Sequence, residues 1–416
     1  MTEDVNWIQS DGPIVEMTID HERAIGRIVL DTGHSIEFPI DPPPAGESAV
    51  NRASYLPHAG ILRMLLTNGA EVSAELDLLD TATARRGRPV IYLDQGHWST
   101  LANVSYNPKR VSKRDIKPAI RLLELANQKE IILPISSAHM IETGATYATK
   151  RQNLASTMLE ASHGWIMRDP LDVRQSELVS TFLKRYRKVE PNPASIFTLD
   201  HSLLYARDAT RGHRYSPRGK SPAIVRALTQ KLVEVLSTYD TLADPRRIDG
   251  ESDSSKWAEH HRNLAQEMAR NKERPEKRRT LGILAATIDV QREIAFAATT
   301  AGVSTDQLKE WYELYREHDL TQMPFLGLYA DSVAFRLANA QRKWSGNDLI
   351  DGLFLCCATA YADAVAGERG ATEYIKRSWG WRSDAAPIFA TLPELLPYIE
   401  ENLLPATGKP ENVEQD

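Results

Sequence analysis

The chain has 416 residues, of which 42% are hydrophobic and 25% are charged, and its net charge is −6. This composition is typical of a globular protein with a sizeable core, and it is not that of a polycation or a low-complexity chain. No apolar run approaches the ~18 residues of a membrane span, and the acidic N-terminus lacks the features of a signal peptide. The adjacent Cys356 and Cys357 favour neither a disulfide nor a thiolate zinc site, so we expect core thiols and a cytoplasmic protein.

Residues 1–85 have the pattern of a β-rich N-terminal domain. Segments 13–20, 24–30, 35–40, 60–67 and 72–79 read as strands, most of them alternating apolar and polar residues. Asn68-Gly69 is a favoured hairpin turn between the last two. We predict a small antiparallel sheet, and its sequence contains no catalytic constellation.

A linker at 85–89 leads into an alternation of strands and helices, which is typical of a parallel α/β sheet. Segment 90–94 is a buried-strand candidate that ends at Asp94, and 131–135 is a second. Ser136 is a candidate cap for a helix that contains Glu142. We expect Asp94 and Glu142 to lie near one edge of the sheet, although Glu142 alone has the equal alternative of complementing its helix dipole. No glycine-rich phosphate fingerprint follows Asp94, which disfavours a dinucleotide fold.

The region from about 150 to 340 is predicted to be mostly helical. It contains a loop rich in arginine and glycine at 211–220, whose cations are Arg211, Arg214, Arg218 and Lys220. Such a loop is suited to contact nucleic-acid phosphates, and the alternative is an exposed loop without that role. The polar tail at 407–416 is predicted to be disordered.

Acidic residues cluster again after residue 345. Asp348 and Asp351 are three residues apart at a predicted helix start, so they share one face of the helix. A short strand candidate at 362–366 has Asp363 near its start and Glu368 just after its end. Acids crowded around buried elements are costly unless a cation offsets them, and a divalent cation is the usual candidate. The alternative is that some of these residues are caps and surface acids.

Taken in chain order, these acids and the elements around them resemble the PIN domain, a nuclease fold with a small parallel sheet and a carboxylate-lined cleft. The resemblance covers about 89–150 and 345–380, including Tyr361-Ala362-Asp363-Ala364-Val365-Ala366-Gly367-Glu368. It implies a PIN-like α/β domain at 89–400, interrupted by a large helical insertion at 150–340. After the last strand, Gly367-Glu368 replaces the Asp or Thr-Asp that family members often have there.

The resemblance also implies a function, a metal-dependent endoribonuclease that hydrolyses RNA phosphodiester bonds. Its Mg²⁺ or Mn²⁺ ligands would be Asp94, Glu142, Asp351, Asp363 and Glu368, with Asp348 as a further catalytic residue. Hard cations of this kind prefer oxygen donors and activate water for attack on a phosphodiester. The alternatives are a catalytically weak PIN-like module that binds RNA or protein, a structure-specific DNA nuclease, and an unrelated α/β protein with incidental acids. The oligomeric state and a regulatory protein partner are left open.

Overall fold

The computed structural model describes residues 13–41, 49–76, 85–191, 195–205, 223–243, 254–271, 275–339, 341, 343–379 and 384–404. Within these ranges the chain has a mixed α/β architecture that is mostly helical. It contains a six-stranded antiparallel sheet and a smaller parallel sheet. No described helix is both long enough and apolar enough to cross a membrane.

The N-terminal sheet is antiparallel throughout, with the strand order β3-β2-β1-β4-β5-β6. Its strands are β1 (Ile14–Asp20), β2 (Ile25–Leu30), β3 (Ser35–Pro39), β4 (Val50–Leu56), β5 (Ile61–Leu66) and β6 (Glu71–Glu75). Five of these strands confirm the sequence prediction, whereas β4 was not predicted. The predicted turn at Asn68-Gly69 joins β5 and β6, and Gly69 has the positive φ of 83° that makes glycine favourable there.

This sheet shares a hydrophobic cluster with the α/β part of the chain. Met64 and Ala74 are buried on its inner face and belong to the same cluster as Met158 of the helix Ala148–Ser162. Glu75 forms two 2.8 Å hydrogen bonds with the Arg88 guanidinium at the start of the α/β part. The N-terminal sheet is therefore fixed directly onto the α/β core.

The parallel sheet is built around β7 (Ile91–Leu93), which lies beside β10 (Ala364–Ala366), and β10 lies beside β11 (Ile388–Phe389). On the other side of β7, a parallel bridge joins Val90 to Ile132 and another joins Ile135 to Ile166. The predicted strand at 131–135 therefore makes isolated bridges rather than a continuous strand. Counted along the chain, the five parallel segments lie in the order third, second, first, fourth, fifth.

Two further short strands, β8 (Ile166–Met167) and β9 (Phe197–Thr198), pair antiparallel with each other. The helices are α1 (Gln95–Tyr106), α2 (Lys113–Asn127), α3 (Ser137–Gly144), α4 (Ala148–Ser162), α5 (Pro170–Phe182), α6 (Ala223–Ala243), α7 (Ser254–Arg270), α8 (Pro275–Asp289), α9 (Gln291–Thr300), α10 (Thr305–Glu310), α11 (Arg316–Gln322), α12 (Pro324–Leu337), α13 (Gly346–Tyr361), α14 (Arg369–Trp379) and α15 (Leu392–Tyr398). Single π-helical turns follow α5, α10 and α15 at Leu183–Arg187, Trp311–Tyr315 and Ile399–Leu403, and 3₁₀ turns lie at Pro108–Arg110 and His201–Leu203. The helical character predicted for 150–340 is confirmed in the described residues.

Helix α13 is buried in a second hydrophobic cluster, separate from the one that the N-terminal sheet shares with the α/β part. Cys356 and Cys357 are both fully buried free thiols on it, as predicted. It packs against α12, and α12 in turn packs closely on α8. At that second contact a Cβ on Gly282 would lie only 2.4 Å from the Ala334 Cβ, so a residue without a side chain is required. The helical region thereby holds α13, with its acidic first turn, against the parallel sheet.

Candidate functional site

Asp94 lies where β7 ends and α1 begins. Its backbone N–H donates to the carbonyl of Ala366 at 2.9 Å, which places it beside the end of β10. Its carboxylate caps α1 and accepts the backbone N–H of His97 at 3.2 Å. One oxygen of the carboxylate lies 4.0 Å from the His97 Nε2 atom. The side chain is partly exposed at the carboxyl edge of the sheet, where parallel α/β sheets bind ligands.

Glu142 is held near Asp94 by a network that ties α3 to the end of β7. The His139 Nδ1 atom accepts the backbone N–H of Ser136 at 3.0 Å, and its Nε2–H donates to the Leu93 carbonyl at 2.9 Å. Burial lowers the His139 pKa to about 4, which keeps the ring neutral, as this donor and acceptor pattern requires. His139 is thus a positioning residue between the strand and the helix that carries Glu142.

Asp351 lies in the second turn of α13, and Asp348 in the first. The carboxylate of Asp348 accepts the backbone N–H of Ser345 at 2.6 Å and forms an ion pair with Arg336. Burial acts to raise the Asp348 pKa, but these donors outweigh it and the pKa is lowered. Asp348 is therefore engaged as a capping residue and ion-pair partner that fixes the start of the helix. Asp351 has no such partner among the described residues.

Glu368 follows β10 and stands immediately before α14. Its side chain is exposed at the same edge of the sheet as Asp94, because β7 and β10 are parallel neighbours. The four acids Asp94, Glu142, Asp351 and Glu368 are contributed by segments far apart in the chain. We refer to them below as the carboxylate cluster.

The members of the carboxylate cluster affect one another electrostatically. Burial raises the pKa of Glu142 to about 7, and the negative charges of the other three members act in the same direction. Burial also raises the pKa of Asp351 to about 7, followed in importance by the charges of Asp94 and Glu368. Arg336 opposes this second shift without cancelling it. At neutral pH the cluster therefore has an excess of negative charge that protons only partly relieve.

The chemistry of these donors suits a hard divalent cation, which prefers carboxylate and carbonyl oxygens. A further oxygen, Oε1 of Gln95, is fully buried beside Asp94 and has no hydrogen-bond donor in the described residues. The amide nitrogen of the same side chain donates to Thr143 Oγ1 at 2.8 Å, next to Glu142. As the side chains stand, however, no three carboxylate, imidazole or thiolate groups of the described residues lie close enough to hold one ion.

Asp363 lies elsewhere, contrary to its predicted place in the site. It precedes β10, whereas Glu368 follows it, so the two acids occupy opposite edges of the sheet. One oxygen of Asp363 accepts the Val90 backbone N–H at 2.7 Å and pairs with the Arg85 guanidinium at 2.6 Å. The structure therefore places Asp363 at the amino end of the sheet, where it pairs with Arg85 of the linker, away from the carboxylate cluster.

The predicted nucleic-acid contacts Arg211, Arg214, Arg218 and Lys220 lie outside the described residues. The sequence reading had not assigned Gln95, His97 or Arg336 to the site. Gln95 and His97 directly follow Asp94, so their proximity was a usable signal. Arg336 had no such signal, since only the packing of α12 on α13 brings it to the first turn of α13.

No family model, no curated protein and no solved structure matches this chain. The carboxylate cluster concentrates negative charge at the edge where parallel α/β sheets bind ligands.

Proposed function

We propose that the protein is a PIN-like, metal-dependent endoribonuclease in which the carboxylate cluster binds Mg²⁺ or Mn²⁺. The observation that supports this most strongly is the meeting of four acids from three distant segments at one edge of a parallel sheet. A cytoplasmic location belongs to the same proposal, on the grounds of the sequence. The resemblance to PIN domains assigns these four acids to the site, together with Asp363 and Asp348.

The topology supports a ligand site at this position. Open α/β sheets bind ligands where the order of strands reverses, in the crevice outside the carboxyl ends of the strands. Here the order reverses between β7 and β10, the first and fourth parallel segments. Asp94 follows β7 and Glu368 follows β10, so these two acids flank the point of reversal.

The electrostatics support a cation there. Acids that are partly buried and that repel one another cost free energy, and a divalent cation offsets that cost. Asp94, Glu142 and Asp351 would supply the principal oxygen donors, with Glu368 at the rim. Because Mg²⁺ usually keeps several waters, contacts through water are compatible with a cluster whose side chains do not converge on one point.

In this proposal the surrounding residues position the donors. His139 fixes α3 against β7, and the ion pair of Asp348 with Arg336 fixes the start of α13, on which Asp351 lies one turn later. The bound cation would supply Lewis acidity to the attacking water and to the phosphodiester. No nucleophilic side chain is required.

A catalytically weak PIN-like module that binds RNA or protein is the second candidate. The observation that favours it is that no three potential ligands of the described residues are close enough to hold an ion as they stand. The two candidates make opposite predictions in a cleavage assay, because a binding module leaves RNA intact.

The test is cleavage of RNA in Mg²⁺ or Mn²⁺ by the wild type, Asp94→Asn and Glu373→Gln. Asparagine is also a good helix cap, so Asp94→Asn removes the charge and retains the acceptor for α1. Glu373 is an exposed acid on α14 whose partner is Arg377, and Glu373→Gln serves as the matched neutralisation. We expect the wild type and Glu373→Gln to cleave and Asp94→Asn to lose at least about a hundredfold in rate.

RNA that stays intact with the wild type, or a cleavage rate of Asp94→Asn equal to that of the wild type, would reject the proposed nuclease activity. Stable RNA binding without cleavage would support the binding module instead. A matched DNA substrate in the same assay separates an RNA enzyme from a DNA enzyme. Preferential cleavage of DNA would be compatible with the proposed metal site, but it would reject RNA as the substrate.

A further inference from the structure

A cavity lies on the helical part of the chain, and no residue of the carboxylate cluster lines it. It has a volume of about 660 Å³ and is formed by α5 with its π-helical turn, α11, the start of α12 and Tyr361 at the end of α13. Apolar walls are supplied by Val173, Ile196, Met323 and Pro324. Pockets of this size are typical of sites for small organic molecules.

Arg168 lines this cavity and is its most unusual side chain. Only 8% of it is exposed. Its Nε and Nη1 atoms are fully buried and have no hydrogen-bond partner in the described residues. A buried guanidinium without a partner loses its hydration without compensation, so such residues are normally paired. Arg168 therefore requires an explanation.

The other charges that line the cavity are already engaged. Lys184 pairs with Glu190 at 2.7 Å, and Arg185 forms a two-point ion pair with Asp319. The carboxylate of Glu177 accepts the Tyr361 hydroxyl at 2.6 Å and the backbone N–H of Phe325 and of Leu326 at 2.7 and 2.9 Å. These ionic groups are therefore engaged with one another, whereas the Nε and Nη1 atoms of Arg168 have no hydrogen-bond partner in the described residues.

We propose that this cavity binds a small organic phosphate monoester, whose phosphoryl group is recognised by Arg168. A guanidinium donates charge-assisted hydrogen bonds to phosphoryl oxygens, and these are strongest where water is excluded. The hydroxyl-bearing residues Ser180 and Thr181 line the same cavity and suit a group with several acceptor oxygens. The apolar walls would cover the organic part of the ligand.

This inference does not rest on the nuclease proposal. The cavity residues and the carboxylate cluster have no member in common, so either proposal can fail without the other.

The test is thermal unfolding in chloride buffer with phenyl phosphate, inorganic phosphate or benzoate, for wild type, Arg168→Met and Arg114→Met. Methionine fills the space of the arginine stem without the charge. Arg114 is 68% exposed on its side chain and pairs with Asp115, so its replacement controls for anion binding at the surface. We expect phenyl phosphate to raise the Tm of the wild type and of Arg114→Met, and to leave Arg168→Met unchanged.

Ligand-free stability separates binding from a structural role for Arg168. Because an unpartnered buried cation is unfavourable, Arg168→Met should unfold at the wild-type temperature or above it without ligand. A large fall in its Tm would instead indicate that Arg168 has a structural role and would overturn the proposal. So would a phenyl phosphate shift that is absent from the wild type or retained in Arg168→Met. Equal Tm shifts with inorganic and phenyl phosphate would overturn the proposal that the cavity recognises the organic group of the ligand. A Tm shift with benzoate equal to that with phenyl phosphate would overturn the proposed preference for phosphate.

Discussion

Asp94 and Asp351 lie in each other's electrostatic field, although one ends the first parallel strand and the other lies in a helix near the end of the chain. After burial, which raises the pKa of Asp351 to about 7, the charge of Asp94 is the strongest contribution to that shift. Two carboxylates so placed destabilise each other when both are ionised. The first four predictions below follow from this relationship and from the different position of Asp363, and the fifth follows from the arginine-rich loop at 211–220.

The contribution of Glu142 and Asp351 to metal-free stability should decrease as pH rises from about 4 to about 7. Folded Glu142 and Asp351 retain protons up to about pH 7, whereas in the unfolded chain they lose them near their ordinary values of 4.5 and 3.8. The folded state therefore binds more protons across this window, and its contribution to stability is lost as pH rises. Urea unfolding with a chelator, for wild type and Asp351→Asn, measures this contribution.

Asp351→Asn should be more stable than the wild type at pH 8, by on the order of 1–2 kcal/mol after allowance for solvent screening. The difference should disappear only below about pH 3, where Asp351 is protonated in both the folded and the unfolded wild type. A variant that is less stable than the wild type at pH 8 would show that Asp351 is held by an unrecognised favourable contact.

Mg²⁺ should stabilise the protein more at pH 8 than at pH 6. Ligation requires ionised carboxylates, so the cation must displace the protons that Glu142 and Asp351 hold at the lower pH. Thermal unfolding with and without Mg²⁺ at both pH values checks this, with the Asp94→Asn variant as the control. A shift in Tm that is independent of pH would place the bound ion at other groups.

Asp363→Ala should reduce stability and leave the rate of cleavage per folded molecule unchanged. The substitution leaves the Val90 N–H without its acceptor and removes the partner of Arg85, at a cost of about 1–3 kcal/mol. Urea unfolding and an RNA cleavage assay on the same sample separate the two effects. A loss of activity as large as that of Asp94→Asn, in a stable variant, would restore Asp363 to the site.

Replacing Arg214 and Arg218 together by Ala should weaken RNA binding and flatten its salt dependence. If each contacts one phosphate, the slope of log K against log salt should fall by roughly 1.5 in total. Filter binding over a range of salt concentrations measures the slope. An unchanged slope would remove these two residues from the RNA interface.

The sequence was sufficient to bring together acids that are distant in the chain, because the carboxyl ends of parallel strands share one edge. Asp94 and Glu142 were found in this way, and Asp351 through its spacing from Asp348. The same reasoning failed for Asp363, which lies at the start of a strand of three residues with an acid at each end. Such a pattern identifies two acids near a sheet and does not decide which one faces the cleft.

Other features depended on tertiary contacts that leave no local pattern. Strand β4 contains Asn51-Arg52-Ala53-Ser54, in which few apolar residues mark the buried face. The pairing of Asp348 with Arg336 arises only when α12 packs on α13, and it gives a structural contact to an acid that the sequence assigns to catalysis. The lack of a hydrogen-bond partner for the Nε and Nη1 atoms of Arg168 in the described residues likewise depends on the folded chain.

The most direct test of the central claim is calorimetric titration of Mn²⁺ into the chelator-treated wild type and into Asp94→Asn, Asp351→Asn and Glu373→Gln, at pH 7 in two buffers of different ionisation enthalpy. We predict that the wild type and Glu373→Gln bind Mn²⁺ with release of protons, and that either cluster substitution weakens binding at least tenfold. Equal Mn²⁺ affinity in all four proteins, or no binding by the wild type, would contradict a cation site at the carboxylate cluster.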